Sequence, residues 1–174
     1  MTRKMSPLMA ATALCALFGF GFIAAAAEPM AQTDSWRNQY DFVDDFSEDL
    51  ALVEKGGKAF HVNRDGTPAY AERYDSAGPF SEGIARVRKD GKEFHIRRDG
   101  TPAYTERYDW IDPFFEGLAR AWKDRKAFHI RRDGKPAYAE RYDWVGTFSG
   151  GRAWALAGND AVVYISHDGK PIAK

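Results

Sequence analysis

"FHIRRDG" occupies residues 94–100 and returns unchanged at 128–134, and a near copy, "FHVNRDG", stands at 60–66. The interval is 34 residues, and it also separates Tyr40, Tyr74, Tyr108 and Tyr142, and again Phe46, Phe80, Phe114 and Phe148. A fixed period of this length marks stacked or ringed structural units, each too small to bury its own apolar face. Framed on the Tyr-Asp pair, the units run 40–73, 74–107, 108–141 and 142–174, preceded by a short polar lead-in at 28–39.

Within a unit the local signals are those of β-hairpins. In "IARVRKDGKEFHIRRDGTPAY" (84–104) two Asp-Gly pairs, Asp90-Gly91 and Asp99-Gly100, separate alternating stretches. A two-residue turn at Asp90-Gly91 sets Val87 opposite Phe94 and Ala85 opposite Ile96 on one apolar face. Arg88 then lies opposite Glu93, and Arg86 opposite His95, on a polar face. A helix through Phe80, Ile84 and Val87 would have to include Gly83 and Gly91, at about 1 kcal/mol each, and is rejected. In the last unit Asp168-Gly169 comes 35 residues after Asp133-Gly134, and alignment of "AWALAGNDAVVYISHDG" places the extra residue in Gly158-Asn159-Asp160. A hairpin turn tolerates such an insertion. Pro68, Pro102 and Pro136 require the third strand to be short or to lie where no ladder donor is needed. The stretch "ERYDWIDPFFEG" (106–117) reads as a loop whose anchors Tyr108, Ile111 and Phe114 tie one unit to the next.

These residues resemble the bacterial WG-repeat family. Its units run approximately as a Phe-Ser-Glu-Gly-Leu-Ala strand, an Asp-Gly-Lys turn, a strand beginning Trp-Gly, a second Asp-Gly or Thr-Gly turn, and Pro-x-Tyr-Asp. "PFSEGIARVRKDGKEFHIRRDGTPAYTERYD" (79–109) follows that layout, with Phe94-His95 and Phe128-His129 in the place of Trp-Gly, and the likeness covers residues 40–174. The resemblance implies a β-rich repeat protein, often exported, with no general biochemical activity attached to it. The expected fold is all-β: four tandem β-hairpin or meander repeats in an open array. The alternative is a small closed propeller-like ring, with Phe42, Val43 and Phe46 meeting the last unit.

Ahead of the repeats, "MTRKMSPLMAATALCALFGFGFIAAAAEPM" has the layout of a secretory signal. Arg3 and Lys4 form the basic region, Leu8 to Ala27 carries no charge, and Ala25-Ala26-Ala27 supplies small residues before Glu28. Cleavage is expected after Ala26 or Ala27, leaving residues 1–27 as signal peptide and an exported domain, periplasmic or extracellular. Cys15 is the only cysteine, and Thr12-Ala13-Leu14 before it lacks the small residue of a lipoprotein signal. The expected mature chain has no cysteine and must hold itself by burial alone. The chain carries 25 basic and 25 acidic residues, and two of the basic ones, Arg3 and Lys4, lie in the leader. Such an even mixture argues against nucleic acid and against attachment to anionic lipid.

No asymmetric catalytic constellation appears. Glu72, Glu106 and Glu140, and Asp75, Asp109 and Asp143, are copied between units beside Arg73, Arg107 and Arg141, which points to repeated ion-pair or capping networks. No phosphate loop, nucleophile elbow or zinc-protease signature is present, so neither an enzyme nor a cofactor is expected. His61, His95 and His129 lie one per unit, too far apart in a continuing sheet for one zinc, and read as polar-face residues beside Arg86 or Arg120. "NRDGTPAYAE" (63–72) lacks the glycine and alternating oxygens of a calcium loop. No metal site is expected. What varies between units is aromatic: Trp110, Phe115, Trp122, Trp144, Trp154 and Tyr164 have no aromatic counterpart in the second unit. These six are the candidate partner-binding residues of a non-catalytic protein-binding or scaffolding module. The alternatives are an envelope glycan as ligand, or a hydrolase with a site assembled across units.

Overall fold

The computed structural model describes residues 34–158 and 161–172. The signal segment with Cys15, and Asn159-Asp160 of the expected three-residue turn, lie outside the described residues. Among the described residues a short 3₁₀ helix, Asp34–Gln39, precedes thirteen strands. Four separate antiparallel sheets follow in chain order. The first consists of β1 (Phe42–Ser47), β2 (Leu50–Lys55) and β3 (Lys58–Val62), and the second of β4 (Ser76–Ala77), β5 (Ile84–Lys89) and β6 (Lys92–Arg97). The third has β7 (Trp110–Ile111), β8 (Ala119–Lys123) and β9 (Lys126–Ile130). The fourth has β10 (Trp144–Val145), β11 (Ala153–Ala157), β12 (Ala161–Ile165) and β13 (Pro171–Ile172). None of these four sheets closes into a barrel, so the all-β repeat architecture holds for the described residues.

The hairpin register is the one the Asp-Gly turn dictates: Val87 pairs with Phe94, Ala85 with Ile96, Arg88 with Glu93 and Arg86 with His95. Asp90 and Gly91 both have positive φ, 53° and 73°, as a two-residue turn matching strand twist requires. Beyond the second turn, Pro68, Pro102 and Pro136 each make a single bridge, to Val62, Ile96 and Ile130, and no continuous third strand forms.

Two readings are corrected. The 106–117 stretch is not all loop: Trp110 and Ile111 pair with Trp122 and Ala121, and the same short strand recurs as β4 and β10. Two residues suffice because the backbone just before them is already fixed on the preceding sheet, where Tyr108 exchanges both backbone hydrogen bonds with Glu93. Each Tyr-Asp segment thus closes one sheet and opens the next. Second, the polar face is covered where β6 carries it, although Arg88 opposite stays exposed. Four successive residues of β6, Glu93 to Ile96, are buried, because the next unit lies against it.

The core is one continuous cluster built from equivalent positions. Tyr40, Tyr74, Tyr108 and Tyr142 each donate their hydroxyl to the carbonyl of the glycine in the second turn, Gly66, Gly100, Gly134 and Gly169. The rings of Tyr70, Tyr104 and Tyr138 lie against Gly100, Gly134 and Gly169 of the following unit. Trp36, from the 3₁₀ helix, lies against Gly66 in the same way and is 8% exposed. The lead-in therefore contributes a core residue in the place a preceding unit's tyrosine would take. Phe42, Trp154 and Tyr164 stay 48%, 41% and 42% exposed, so the first and last sheets do not bury one another as ring closure would require.

Candidate functional site

The repeated "Phe-His" is a junction between units. Phe60, Phe94 and Phe128 each lie beneath the guanidinium of Arg73, Arg107 and Arg141, at 3.6, 3.8 and 4.1 Å from the ring centres. The same arginines donate to three consecutive carbonyls, those of Tyr104, Thr105 and Glu106 in the case of Arg107. Arginine here caps a chain reversal while sitting on an aromatic face; it meets the neighbouring glutamates through their backbone carbonyls and not through their carboxylates.

His61, His95 and His129 are at most 1% exposed. Their Nε2 atoms lie 3.0, 3.0 and 2.9 Å from the carbonyl oxygens of Gly78, Asp112 and Gly146 in the next unit. A carbonyl only accepts, so Nε2 carries the proton and Nδ1 accepts from the hydroxyl of Tyr70, Tyr104 or Tyr138, each at 2.6 Å. Burial pushes all three imidazoles down to about 4, so they stay neutral. Both ring nitrogens are committed, which leaves no lone pair for a metal ion. Each ring also packs on Phe80, Phe114 or Phe148 of the next unit, with centroids 4.5, 4.7 and 4.5 Å apart. Replacing Tyr104 by Phe leaves His95 Nδ1 buried without a donor. The variant is expected to lose about 1–3 kcal/mol of stability in urea denaturation, whereas Phe42→Leu, on an exposed side chain, should change it little.

The six aromatic candidates divide into three groups. Trp110, Trp122 and Trp144 meet at the junction of the third and fourth units. Trp110 and Trp144 stack at 6.3 Å and 26°, and Trp122 and Trp144 are tilted at 5.4 Å. They meet because Trp110 pairs with Trp122 across β7 and β8, putting both on the face that receives β10. The second unit has Ser76 and Arg88 at the corresponding pair. The three indoles line an apolar cleft of about 240 Å³. At its edge the Arg120 guanidinium lies 5.3 Å from Trp110 and 5.9 Å from Trp144, held by Asp112 at 2.5 Å.

Trp154 and Tyr164 pair across β11 and β12, as the register predicts, without joining that cleft. Trp154 lies flat over Gly146, where a Cβ would fall 2.3 Å from its Nε1, and Arg152 lies over Tyr164 at 5.4 Å. Phe115 is 54% exposed and stands apart in the Phe115–Leu118 turn. Two larger hollows, about 370 and 340 Å³, recur one unit apart around Phe94 with Arg107 and around Phe128 with Arg141. Lys92 and Lys126 within them pair with Asp109 and Asp143, at 2.5 Å in each case. Their repetition and internal pairing mark them as seams between units. The histidine network escaped sequence reading because its partners lie 9 and 17 residues away. Trp36 did leave a signal, since it stands 34 residues before Tyr70.

Among the described residues no helix is long and apolar enough to cross a membrane, and no group of three or more His, Cys, Asp or Glu side chains is arranged to hold a metal. No curated protein matches this sequence. Similar solved structures include BamB from Moraxella catarrhalis, 13% identical over 74% of this chain and 46% of that one, with a TM-score of 0.46. KlHsv2 with loop 6CD replaced by a Gly-Ser linker is 10% identical over 75% and 51%, with a TM-score of 0.49. The computationally designed Ika8 protein is 14% identical over 75% and 48%, with a TM-score of 0.48. The chain spans about half the length of each of these. The model of the WG containing repeat matches four times, at residues 39–58, 62–92, 98–126 and 130–159, more than half of the chain. With the four-sheet fold that these repeats build, the chain belongs to the WG containing repeat family.

Proposed function

We propose that this chain is an exported, non-catalytic binding module that holds a protein partner through the tryptophan cleft at the junction of its third and fourth units. The supporting observation is the cleft itself. Three indoles converge where the equivalent positions of the first junction are Phe42, Glu54 and Ser76 and those of the second are Ser76, Arg88 and Trp110, and Trp144 remains 39% exposed. At about 240 Å³ it is smaller than the usual small-molecule pocket and has the room and apolar lining for one large side chain. Export rests on the three-part layout of residues 1–27 and on the lack of cysteine after Cys15. The absence of catalysis is inferred from the repetition of the charged groups, which serve as structural partners in several units.

A second reading takes a glycan as ligand. It is favoured by the Arg120–Asp112 pair at the rim, since a pyranose can place its C–H face on an indole while its hydroxyls meet planar polar groups. Co-sedimentation with cell envelope, untreated and protease-shaved, separates the two. Binding is expected to disappear on shaving and to fall by about thirtyfold in Trp122→Ala/Trp144→Ala, the loss of a hot-spot contact. Binding that survives shaving would turn the cleft into a glycan platform, and a double variant that binds normally would remove the cleft from either reading.

A further inference from the structure

We propose that the cavity between the third and fourth units is a receptor for an arginine side chain of a partner protein, the guanidinium taking a place that the chain fills from within at its other junctions. The first two junctions show the geometry. Glu48 and Glu82 occupy the first left-handed position of the Ser-Glu turn, with φ of 50° and 54°, and each meets an arginine 50 residues further on. Arg98 lies 3.8 Å from the Glu48 carboxylate. Arg132 donates through Nη1 to the Glu82 carbonyl at 3.0 Å and through Nη2 to its carboxylate. The left-handed glutamate thus offers its carbonyl and carboxylate together, a two-point acceptor for a planar guanidinium.

At the third junction the acceptor is kept and the donor is lost. Glu116 has the same conformation, φ 50°. The residue equivalent to Arg98 and Arg132, after the one-residue insertion of the last unit, is His167. It preserves half of the arginine's role. Arg98 and Arg132 lie 6.0 and 5.5 Å from the rings of Phe80 and Phe114, and His167 stacks on Phe148 at 4.4 Å. The imidazole does not form the ion pair, and Glu116 has no charged partner among the described residues. What remains is a cavity of about 460 Å³ lined by Glu116, Gly117, Leu118, Arg131, Arg132 and His167, with Ala137 on its wall.

The two arginines on that wall do not make it an anion site. Arg131 donates to the carbonyls of Pro136 and Ala137, and Arg132 is held by Glu82. Their equivalents one unit earlier, Arg97 and Arg98, are held in the same way, by the carbonyls of Pro102 and Ala103 and by Glu48, so an incoming guanidinium would meet surroundings this chain already accommodates. Lysine lacks the paired donors and the flat face, and is the discriminating control.

The test is an NMR titration of the isotope-labelled protein with acetyl-Gly-Arg-Gly-amide, and with the same peptide carrying lysine or citrulline. Saturable shifts of the His167 ring and the Gly117 amide are expected with arginine alone. Glu116→Gln should weaken the binding about fivefold, the scale of one exposed ion pair. His167→Arg, which restores the internal donor, should abolish it. No shift with the arginine peptide, equal shifts with all three peptides, or undiminished binding to His167→Arg would overturn the proposal. Self-association of the free protein that His167→Arg removes would overturn its assignment to a separate partner.

Discussion

Lowering the pH from 7 to 4 is expected to remove most of this protein's stability before the hydrogen-bonded aspartates Asp65, Asp75, Asp99, Asp109 and Asp168 are protonated. Three imidazoles sit buried and neutral with their pKa held at about 4, against 6.5 in the unfolded chain. Between those values the unfolded state binds a proton that the folded state refuses, so each histidine contributes stability that is complete above pH 6.5, declines as the pH falls to 4, and is lost below. A shift of this size corresponds to about 3 kcal/mol per group, or about 10 kcal/mol for three independent groups, similar to the whole stability of an ordinary domain. Asp65, Asp75, Asp99, Asp109 and Asp168 act in a different window. Hydrogen bonds from Thr67, Lys58, Thr101, Lys92 and Ser166, respectively, are the leading cause that holds their pKa below 3.8, so their contributions decline only below that pH. Urea unfolding at half-unit pH steps should therefore show the free energy dropping between 6.5 and 4. A flat profile there would mean that the imidazoles titrate in the folded protein, and the reading of the Tyr–His–carbonyl network would fall with it.

The second large effect separates two glycines that the sequence writes identically. Gly91 and Gly134 both follow an aspartate and both have positive φ, 73° and 79°. A Cβ on Gly91 meets nothing within 4 Å, whereas on Gly134 it would fall 2.3 Å from Cγ of the Tyr104 ring. Gly91→Ala is expected to cost only the left-handed penalty, about 1 kcal/mol. Gly134→Ala adds a clash with a ring fixed by its hydrogen bond to His95, and is expected to cost roughly 4 kcal/mol or more in denaturant unfolding. Equal costs would show that the tyrosine yields and that the seam is softer than its burial implies.

That pair of glycines also shows where sequence reading stops. The hairpin register was legible because a two-residue turn leaves the flanking strands one way to pair, and Val87–Phe94 and Trp154–Tyr164 followed from it directly. The short strand at Trp110-Ile111 was not legible, since two residues among aspartates and a proline carry no alternation, and the neighbouring sheet is what positions them. The histidines were assigned to a polar face because alternation records which side of a strand a residue occupies and not what covers that side. Of the aromatic candidates, the sequence indicated that they concentrate toward the last two units. It could not indicate that Trp110, Trp122 and Trp144 converge while Phe115 stays apart, because that depends on how one unit seats against the next.

The side-chain bonds between units span modest distances along the chain, 17 residues for histidine to carbonyl, 33 for Ser47 to Phe80 and 50 for Arg132 to Glu82, and the tyrosine-to-glycine bonds within the first three units span 26. Loop-closure entropy grows only with the logarithm of such a span, and the span is set by the unit and not by the number of units. Each added unit therefore faces the same modest ordering cost as the one before it. An array of this kind can lengthen by whole 34-residue segments without its folding becoming slower in proportion to its size.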